Sequence, residues 1–215
     1  YNLGDIPFVH NSSAETLNIQ QIQDRDRTVA LSSIPDRLEL LETQGIDMQV
    51  IASVPNQCYY MAKGEDANKV SRLVNDGIMK WVDAHPDKFV GLGTVPLQDL
   101  SIALDTLDYI KNETSIKGLQ ILTNVNGMEI SDKSLEKFWA KVEEYEFGVM
   151  LHPLGFSHGE RFGNYYFTNV IGNPLDTTVA LHYIIFNGLL ERYPNLKILG
   201  VHGGGFLPAY SGRID

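Results

Sequence analysis

Five short apolar segments alternate with longer amphipathic ones from Pro35 onward, and this rhythm restricts the possible folds more than any other feature. The apolar segments are residues 48–54, 89–95, 118–122, 148–153 and 196–203. The intervening segments place apolar residues at helical spacing, and we predict helices over 35–44, 66–84, 100–111, 134–145 and 177–193. Strands that are apolar throughout are buried on both faces, as in a parallel sheet covered by helices. The pattern therefore predicts an α/β fold.

Two architectures have this alternation, an open doubly wound sheet and a (β/α)₈ TIM barrel. The doubly wound sheet that binds dinucleotides carries a glycine fingerprint at its first strand–helix turn, which this sequence lacks. His152 and His202 stand at the ends of predicted strands, and the carboxyl ends of the strands form the active face of a barrel. We therefore predict a barrel.

Five strands are too few to close an eight-stranded barrel, which typically takes about 250 residues. The chain has 215 residues, begins at Tyr1 and ends at Asp215, soon after a promising motif. We predict one barrel domain over 1–215 in which the first-strand and last-strand regions are missing, as in a piece of a longer protein. Residues 1–34 are polar and weakly periodic, so we interpret them as an irregular or lid-like segment.

The charge balance and the single cysteine exclude several classes of partner and site. Acidic residues number 27 against 17 basic ones, which predicts that the protein binds neither nucleic acid nor anionic membrane. No apolar run approaches the roughly 20 residues of a membrane-spanning helix. Cys58 alone cannot form an intrachain disulfide or a cysteine-built zinc site, and it favours a reducing, cytoplasmic location.

Two histidines have the placement of functional residues. His152 ends an apolar strand just before Pro153, and His202 ends the next predicted strand just before three glycines. A core histidine and a plain glycine turn are the structural alternatives. Glycine is conformationally costly, so three in a row suit a backbone that approaches a ligand closely or adopts positive φ. The two rings would share one rim, where one could bind a metal and the other act as general base.

Three other polar residues allow a structural as well as a functional interpretation. Arg213 follows His202 by eleven residues and has the fork that binds a carboxylate, although a solvated arginine at a helix end fits equally well. Asp176, followed by two threonines, is typical of a helix N-cap. His182 falls inside the last predicted helix, and we interpret it as structural.

Several motifs, in their order along the chain, resemble the amidohydrolase-related family. They are Val-Pro-Leu-Gln-Asp at 95–99, His-Pro at 152–153, Gly-Asn-Pro with Asp-Thr-Thr at 172–178, Leu-Glu-Arg-Tyr-Pro at 190–194 and His-Gly-Gly-Gly at 202–205. Within that family the likeness is greatest to aminocarboxymuconate-semialdehyde decarboxylase-like proteins. The resemblance covers about residues 35–215.

The resemblance implies a barrel with one divalent metal, usually zinc, at the strand ends. The family holds this metal with a His-x-His pair on the first strand, a histidine on the fifth and an aspartate on the eighth. His152 matches the fifth-strand ligand, and His202 resembles the general base that acts on metal-bound water. Arg213 resembles an arginine that reaches a neighbouring subunit's active site and grips a substrate carboxylate, and Arg27 (or Arg25) could match a second such arginine. The sequence contains no His-x-His and no eighth-strand aspartate.

These expectations converge on a metal-dependent carboxy-lyase. We predict a cytoplasmic homodimer that decarboxylates a small carboxylate substrate, unsaturated or aromatic. His202 would move the proton, and Arg213 and Arg27 would bind the carboxylate. A hydrolase or a hydratase would use the same metal and base, and a truncated, non-catalytic remnant would use neither. Release of CO₂, incorporation of water and metal content separate these alternatives.

Overall fold

The structure, a computed structural model, describes residues 12–156 and 159–214 of the chain. Its strands are β1 Gln49–Ala52, β2 Phe89–Gly93, β3 Gly118–Leu122, β4 Asn124–Val125, β5 Met128–Glu129, β6 Gly148–His152 and β7 Lys197–Gly200. Its longer helices are α1 Ala14–Ser32, α2 Ile34–Thr43, α3 Gly64–Ala84, α4 Leu100–Glu113, α5 Glu136–Glu144 and α6 Asn173–Phe186. Three four-residue helices are α7 Leu189–Arg192, α8 Val201–Gly204 and α9 Ser211–Ile214. None of the helices in these ranges has the length and apolarity needed to cross a membrane.

Five of the strands form one parallel sheet, and their order shows how the chain winds. The order across the sheet is β1-β2-β3-β6-β7, so each main strand pairs beside its predecessor, and β4 and β5 form a separate small hairpin. A doubly wound sheet reverses its strand order at a switch point, whereas a barrel adds every strand in one direction. The structure therefore confirms the barrel-type α/β fold. Over the described residues the sheet is an open arc with β1 and β7 at its edges.

Successive side chains of β6 point alternately to the two faces of the sheet, one of which packs against the core. Val149 and Leu151 are buried in the main hydrophobic core, whereas His152 lies on the opposite face of the sheet and is partly exposed. The same core contains the fully buried Trp139 of α5, whose indole N–H donates to the carbonyl oxygen of Ile130 at 2.7 Å. The core thus holds β6 rigidly and leaves its last side chain free for chemistry.

The expectation of an irregular N-terminal segment is wrong for residues 14–32, which form α1. The hydroxyl of Ser13 caps this helix by accepting from the N–H of Thr16, and no glycine or proline interrupts the segment. Residues 1–11 of the predicted lid-like segment lie outside the described residues.

The helix predicted over 177–193 is two helices in the structure. The first, α6, begins earlier, at Asn173, and ends at Phe186, and α7 follows after a break. Gly188 has a φ of 65°, and this left-handed conformation ends the run of helical hydrogen bonds. The other helices and the five main strands occupy the predicted segments to within a few residues.

Candidate active site

The pairing of β6 with β7 brings the two predicted histidines together. The parallel register places Leu151 opposite Gly200, so His152 ends β6 beside the point where the chain leaves β7 for His202. The two imidazole rings meet edge to face, with centroids 5.3 Å apart. Both lie at the carboxyl ends of the strands, the rim where barrel enzymes carry out their chemistry.

The hydrogen bond of His152 fixes which ring nitrogen carries its proton. Its Nδ1 lies 2.8 Å from the carbonyl oxygen of Pro153. A carbonyl only accepts, so Nδ1–H donates and Nε2 keeps a free lone pair in the neutral ring. Burial lowers the pKa of His152, the bond to Pro153 partly opposes this, and the nearby His202 lowers the pKa further. A neutral imidazole with one nitrogen fixed by a carbonyl is the usual form of a histidine metal ligand.

His202 reaches the rim through a left-handed turn. Its φ and ψ are 55° and 35°, a conformation that residues other than glycine rarely adopt. Gly203, Gly204 and Gly205, which follow it, also have positive φ. Positive φ is therefore what the three glycines supply. Partial burial lowers the pKa of His202, which keeps this imidazole neutral and able to take up a proton.

The last of these glycines also lets the turn pack closely against α6. A Cβ at Gly205 would lie closer than 3.0 Å to the carbonyl oxygen of Pro174 and to the hydroxyl of Thr178. The N–H of Phe206 donates to that same hydroxyl at 2.7 Å. At Gly205 the turn thus packs closely against α6, and this contact sets His202 beside the first turn of that helix.

A cavity of about 550 Å³ opens beside His152. One wall comes from Gln20, Asp24 and Thr28, which recur at the four-residue spacing of a single face of α1. Asn173, at the start of α6, lies on another side. The volume falls in the range of roughly 300–1,000 Å³ that small-molecule sites occupy.

Neither candidate arginine of α1 is among the residues that line this cavity, and by helical spacing Arg27 is the nearer of the two to its wall. It follows Asp24 by three residues and precedes Thr28, which places it on the same stripe of the helix. Arg25 is rotated away from that stripe, and its Nε contacts Oδ1 of Asp26 at 3.3 Å. Both arginines are exposed, and a role in substrate binding stays a prediction.

Arg213 lies on α9 and lines a second cavity, of about 450 Å³, together with His182 and Tyr210. The ring Nδ1 of His182 bonds the carbonyl oxygen of Thr178, one turn earlier in α6, at 2.7 Å. The cavity of Arg213 is separate from the one beside His152. The structure therefore brings His152 and His202 together but places Arg213 in another cavity of the same chain.

The N-cap interpretation of Asp176 is wrong. The helix already starts at Asn173, with Pro174 in the first turn where helices favour it. Asp176 is buried, and its carboxylate accepts hydrogen bonds from the hydroxyl of Thr123 and the amide of Asn124. Burial raises the pKa of Asp176 in spite of these bonds.

Asp176 has an acidic neighbour, Glu129, and both line a third cavity of about 370 Å³. Burial, and then the charge of Asp176, raise the pKa of Glu129. The buried Oε2 of Glu129 has no hydrogen-bond partner within the described ranges. Sequence reasoning missed this pair, because nothing in the spacing of the two residues predicts that they meet.

Sequence reasoning also missed Thr177 and Asn173. The hydroxyl of Thr177 lies 3.2 Å from Nδ1 of His202. The side-chain oxygen of Asn173 accepts from the N–H of Gly155, in the loop after His152, at 2.9 Å. The signal for both is the polar run around Pro174, which looks like a helix cap in the sequence alone.

The rim residues fit a metal ion in part. The free Nε2 of His152 is the atom that a ligating histidine offers. A catalytic zinc takes three protein ligands, commonly from histidine and carboxylate side chains. Over residues 12–156 and 159–214, no three histidine, cysteine or acidic side chains converge into such a group. The described residues thus supply imidazole ligands without completing a site.

The sequence profile of one family, described as amidohydrolase, matches residues 16–214. The chain belongs to the amidohydrolase family. This amidohydrolase chain is 35% identical over 182 residues to 2-amino-3-carboxymuconate-6-semialdehyde decarboxylase from Dictyostelium discoideum. That alignment covers 84% of this chain and 51% of the relative, so the chain spans about half the length of this curated protein. The family resemblance of the motifs is confirmed.

Two solved structures of decarboxylases share the fold. The 5-carboxyvanillate decarboxylase of Sphingomonas paucimobilis superposes with a TM-score of 0.78 at 26% identity, over 84% of this chain and 54% of that one. A dihydroxybenzoic acid decarboxylase from Polaromonas sp. JS666, solved with manganese and 2-nitroresorcinol, gives 0.80 at 23% identity, over 95% and 66%. The amidohydrolase chain thus has the barrel fold, present here as an open arc.

Proposed function

We propose that this member of the amidohydrolase family is a metal-dependent decarboxylase that acts on a small carboxylate substrate, unsaturated or aromatic. The observation that carries the proposal is the pair of strand-end imidazoles, His152 and His202, each with Nδ1 hydrogen-bonded and Nε2 free. The three relatives described above are named as decarboxylases of unsaturated or aromatic acids, which supports this reaction for the chain.

In the proposed reaction His202 handles the proton. The Nε2 lone pair of its neutral ring first takes up a proton, and the resulting imidazolium donates this H⁺ to the substrate carbon that carries the carboxylate. The bond from that carbon to the carboxylate then breaks, its electron pair returns to the unsaturated system, and CO₂ leaves. His202 regains a proton from solvent, so each turnover replaces one carboxylate by one hydrogen.

His152 would be one ligand of a divalent metal, which supplies Lewis-acid polarisation of a substrate oxygen when bound. The resemblance to the family favours zinc, and the Polaromonas relative holds manganese. We propose zinc. Elemental analysis of the purified chain after dialysis decides between the two metals, and loss of the metal in His152→Ala would support its role as a ligand.

The two arginines suggest that the active unit is a homodimer. Arg27 would bind the substrate carboxylate in its own chain, whereas Arg213 lies at a separate cavity and would bind it in a neighbouring subunit. Both sheet edges expose apolar side chains, with Val50 of β1 59% and Leu199 of β7 61% exposed. Unpaired edges and apolar surface favour association with another chain. A monodisperse monomer in light scattering would contradict the dimer.

A cytoplasmic location is proposed from the cysteine content. Cys58 is the single cysteine of the sequence, and it is buried as a free thiol. Thiols of this kind suit a reducing compartment. Recovery of the protein from a secreted fraction would contradict the proposal.

The test of the decarboxylase proposal follows release of ¹³CO₂ from carboxyl-labelled acids. The 215-residue chain is loaded with zinc or manganese and offered 5-carboxyvanillate, dihydroxybenzoate and aminocarboxymuconate semialdehyde. We expect turnover of at least one acid, and a fall in kcat of about 100-fold or more in His202→Gln, because a general acid contributes at least this much. His85→Gln is the matched control, since His85 precedes β2 at the opposite end of the strands and packs edge-on against Phe89.

Three results would overturn the proposal. Incorporation of ¹⁸O from water without CO₂ would indicate a hydrolase or hydratase. A folded chain that retains no metal and converts none of the acids would indicate a non-catalytic remnant. Equal losses in His202→Gln and His85→Gln would remove His202 from the reaction.

A further inference from the structure

Thr177 is a fully buried residue near the start of α6, and its hydroxyl lies between two polar groups. Its Oγ1 is 3.1 Å from the carbonyl oxygen of Asn173, one turn earlier, and 3.2 Å from Nδ1 of His202. The decarboxylation proposed above does not use this hydroxyl directly. Its position beside the proton-transferring ring nevertheless connects it with the site.

The chemistry of the three groups fixes the direction of both hydrogen bonds. A hydroxyl has one hydrogen, and a carbonyl oxygen can only accept. The hydroxyl of Thr177 therefore donates to the carbonyl of Asn173, and its lone pair accepts from Nδ1–H of His202. The neutral His202 ring is thus held as the Nδ1–H tautomer, with its Nε2 lone pair free.

His202 needs such a partner because little else orients its ring. The residue is only partly buried, its backbone is left-handed, and Gly203 and Gly204 follow it. An imidazole in water exchanges its proton between Nδ1 and Nε2, and a ring with Nε2–H would offer the site a donor in place of a lone pair. The hydrogen bond on one nitrogen decides which form is present.

The helix turn that carries Thr177 is itself held in place. The Oδ1 of Asn173 accepts from the N–H of Gly155 at 2.9 Å, and its Nδ2 donates to Oδ1 of Asn169 at 2.8 Å. The carbonyl oxygen of Asn173, which accepts the hydrogen bond from Thr177, is therefore fixed relative to the loop after His152. A positioning group requires this kind of support from its surroundings.

We propose that Thr177 is a positioning residue that holds His202 as the Nδ1–H tautomer with Nε2 toward the site. The catalytic consequence rests on the decarboxylase function proposed above, whereas the tautomer itself does not. Thr177 touches no reacting atom in this account and acts only through His202.

The test replaces the hydroxyl while keeping the shape of the side chain. Thr177→Val removes the hydroxyl, Thr177→Ser keeps it, and Thr177→Ala is a second hydroxyl-free variant should the valine variant fail to fold. Thr106→Val is the matched control. Thr106 is also fully buried in a helix, and its hydroxyl donates to the carbonyl four residues earlier, that of Ile102, at 2.7 Å, without a histidine partner.

The primary readout is long-range ¹H–¹⁵N NMR of ¹⁵N-histidine-labelled protein without metal, at a pH where the imidazoles are neutral. We expect protonated Nδ1 at His202 in the wild type, Thr177→Ser and Thr106→Val, and mainly protonated Nε2 in Thr177→Val. In the metal-loaded protein we expect Thr177→Val to lower kcat about 10-fold with KM little changed, and Thr177→Ser to restore it.

The proposal is overturned when His202 keeps its Nδ1 proton in both hydroxyl-free variants, or when Thr106→Val moves the tautomer as much as Thr177→Val does. A tautomer shift confined to the hydroxyl-free variants of Thr177, in a chain that releases no CO₂, supports the positioning role and contradicts only the decarboxylase function. The two proposals therefore fail separately.

Discussion

Alanine substitutions at Gly203 and Gly205 should have very different effects, although both glycines have a φ of 64° in the same turn. At Gly203 nothing lies within 4 Å of the position that a Cβ would take. At Gly205 that position is closer than 3.0 Å to the backbone carbonyl of Pro174 and to the hydroxyl of Thr178. One substitution therefore changes only the backbone preference, and the other also forces the turn away from α6.

These geometries determine how much each substitution changes the free energy of unfolding. Gly203 has a ψ of 22°, and alanine in this left-handed region destabilises the folded state by about 1–2 kcal/mol. Alanine also lowers the entropy of the unfolded chain, which offsets this loss by about 0.4–1 kcal/mol. Gly205 has a ψ of −130°, in a region that favours glycine and costs other residues about 1–3 kcal/mol. Overpacking against the backbone adds a further 1–3 kcal/mol or so. The same offset from the unfolded chain applies at Gly205, so we expect a loss of about 1 kcal/mol for Gly203→Ala and about 3 kcal/mol for Gly205→Ala.

Thermal and urea unfolding measure the global effect, and hydrogen exchange of the Phe206 amide measures the local one. That amide donates to the hydroxyl of Thr178 across the contact that Gly205 permits, so its protection should fall in Gly205→Ala alone. For a chain of this size each kcal/mol shifts Tm by about 2–4 °C, so the two variants should differ by roughly 6 °C. Equal Tm values, with the Phe206 amide equally protected, would refute the reasoning.

Two further predictions concern buried polar groups away from the turn. Asn75→Ala should lower the free energy of unfolding by about 3 kcal/mol in urea titrations. The N–H and the carbonyl of Thr94 would each lose a hydrogen bond to the fully buried Asn75 side chain. A loss below about 1 kcal/mol would contradict this prediction. Burial and the charge of Asp176 raise the pKa of Glu129 above its ordinary value of about 4.3. Stability should therefore fall as pH rises from about 4 through the raised pKa, because the folded chain then binds more protons than the unfolded one. In Glu129→Gln this fall in stability should be smaller. If the wild type and the variant give parallel curves of unfolding free energy against pH, Glu129 is not its cause.

The five main strands could be predicted from the sequence because each is largely apolar, and all but β3 end at or near a proline, a glycine or a histidine. The sheet order also followed from the barrel hypothesis, in which each new strand pairs with the last. The helix α1 could not be predicted in this way. Its polar sequence has no apolar stripe, and the structure anchors its start through Ser13 and Thr16 to the carbonyl of Gly163, far along the chain. A contact between segments 147 residues apart leaves no local pattern to recognise.

The histidines of the site were predictable and their partners were not. His152 and His202 are visible because a strand end is a local feature of the sequence. The position of Thr177 depends on where α6 begins. The sequence pattern places that start too late, with Asp176 at the cap, because an aspartate followed by threonines is typical of an N-cap. The true start at Asn173 places Asp176 against Thr123, a contact between residues 53 positions apart. Sequence patterns thus locate the reactive groups, and tertiary contacts decide how those groups are oriented.

A small and contiguous part of the fold fixes the orientation of His152 and His202. The carbonyl of Pro153 orients His152, the hydroxyl of Thr177 orients His202, and the side chain of Asn173 ties the start of α6 to the loop after β6. All of these groups belong to β6, α6 or the segments that follow β6 and β7, and none depends on a strand that would close the barrel. The geometry of the two histidines and the completeness of the metal site are therefore separate properties of this chain. Measuring the His202 tautomer and the metal content on the same protein would distinguish a prepared pair of imidazoles from a working metal centre.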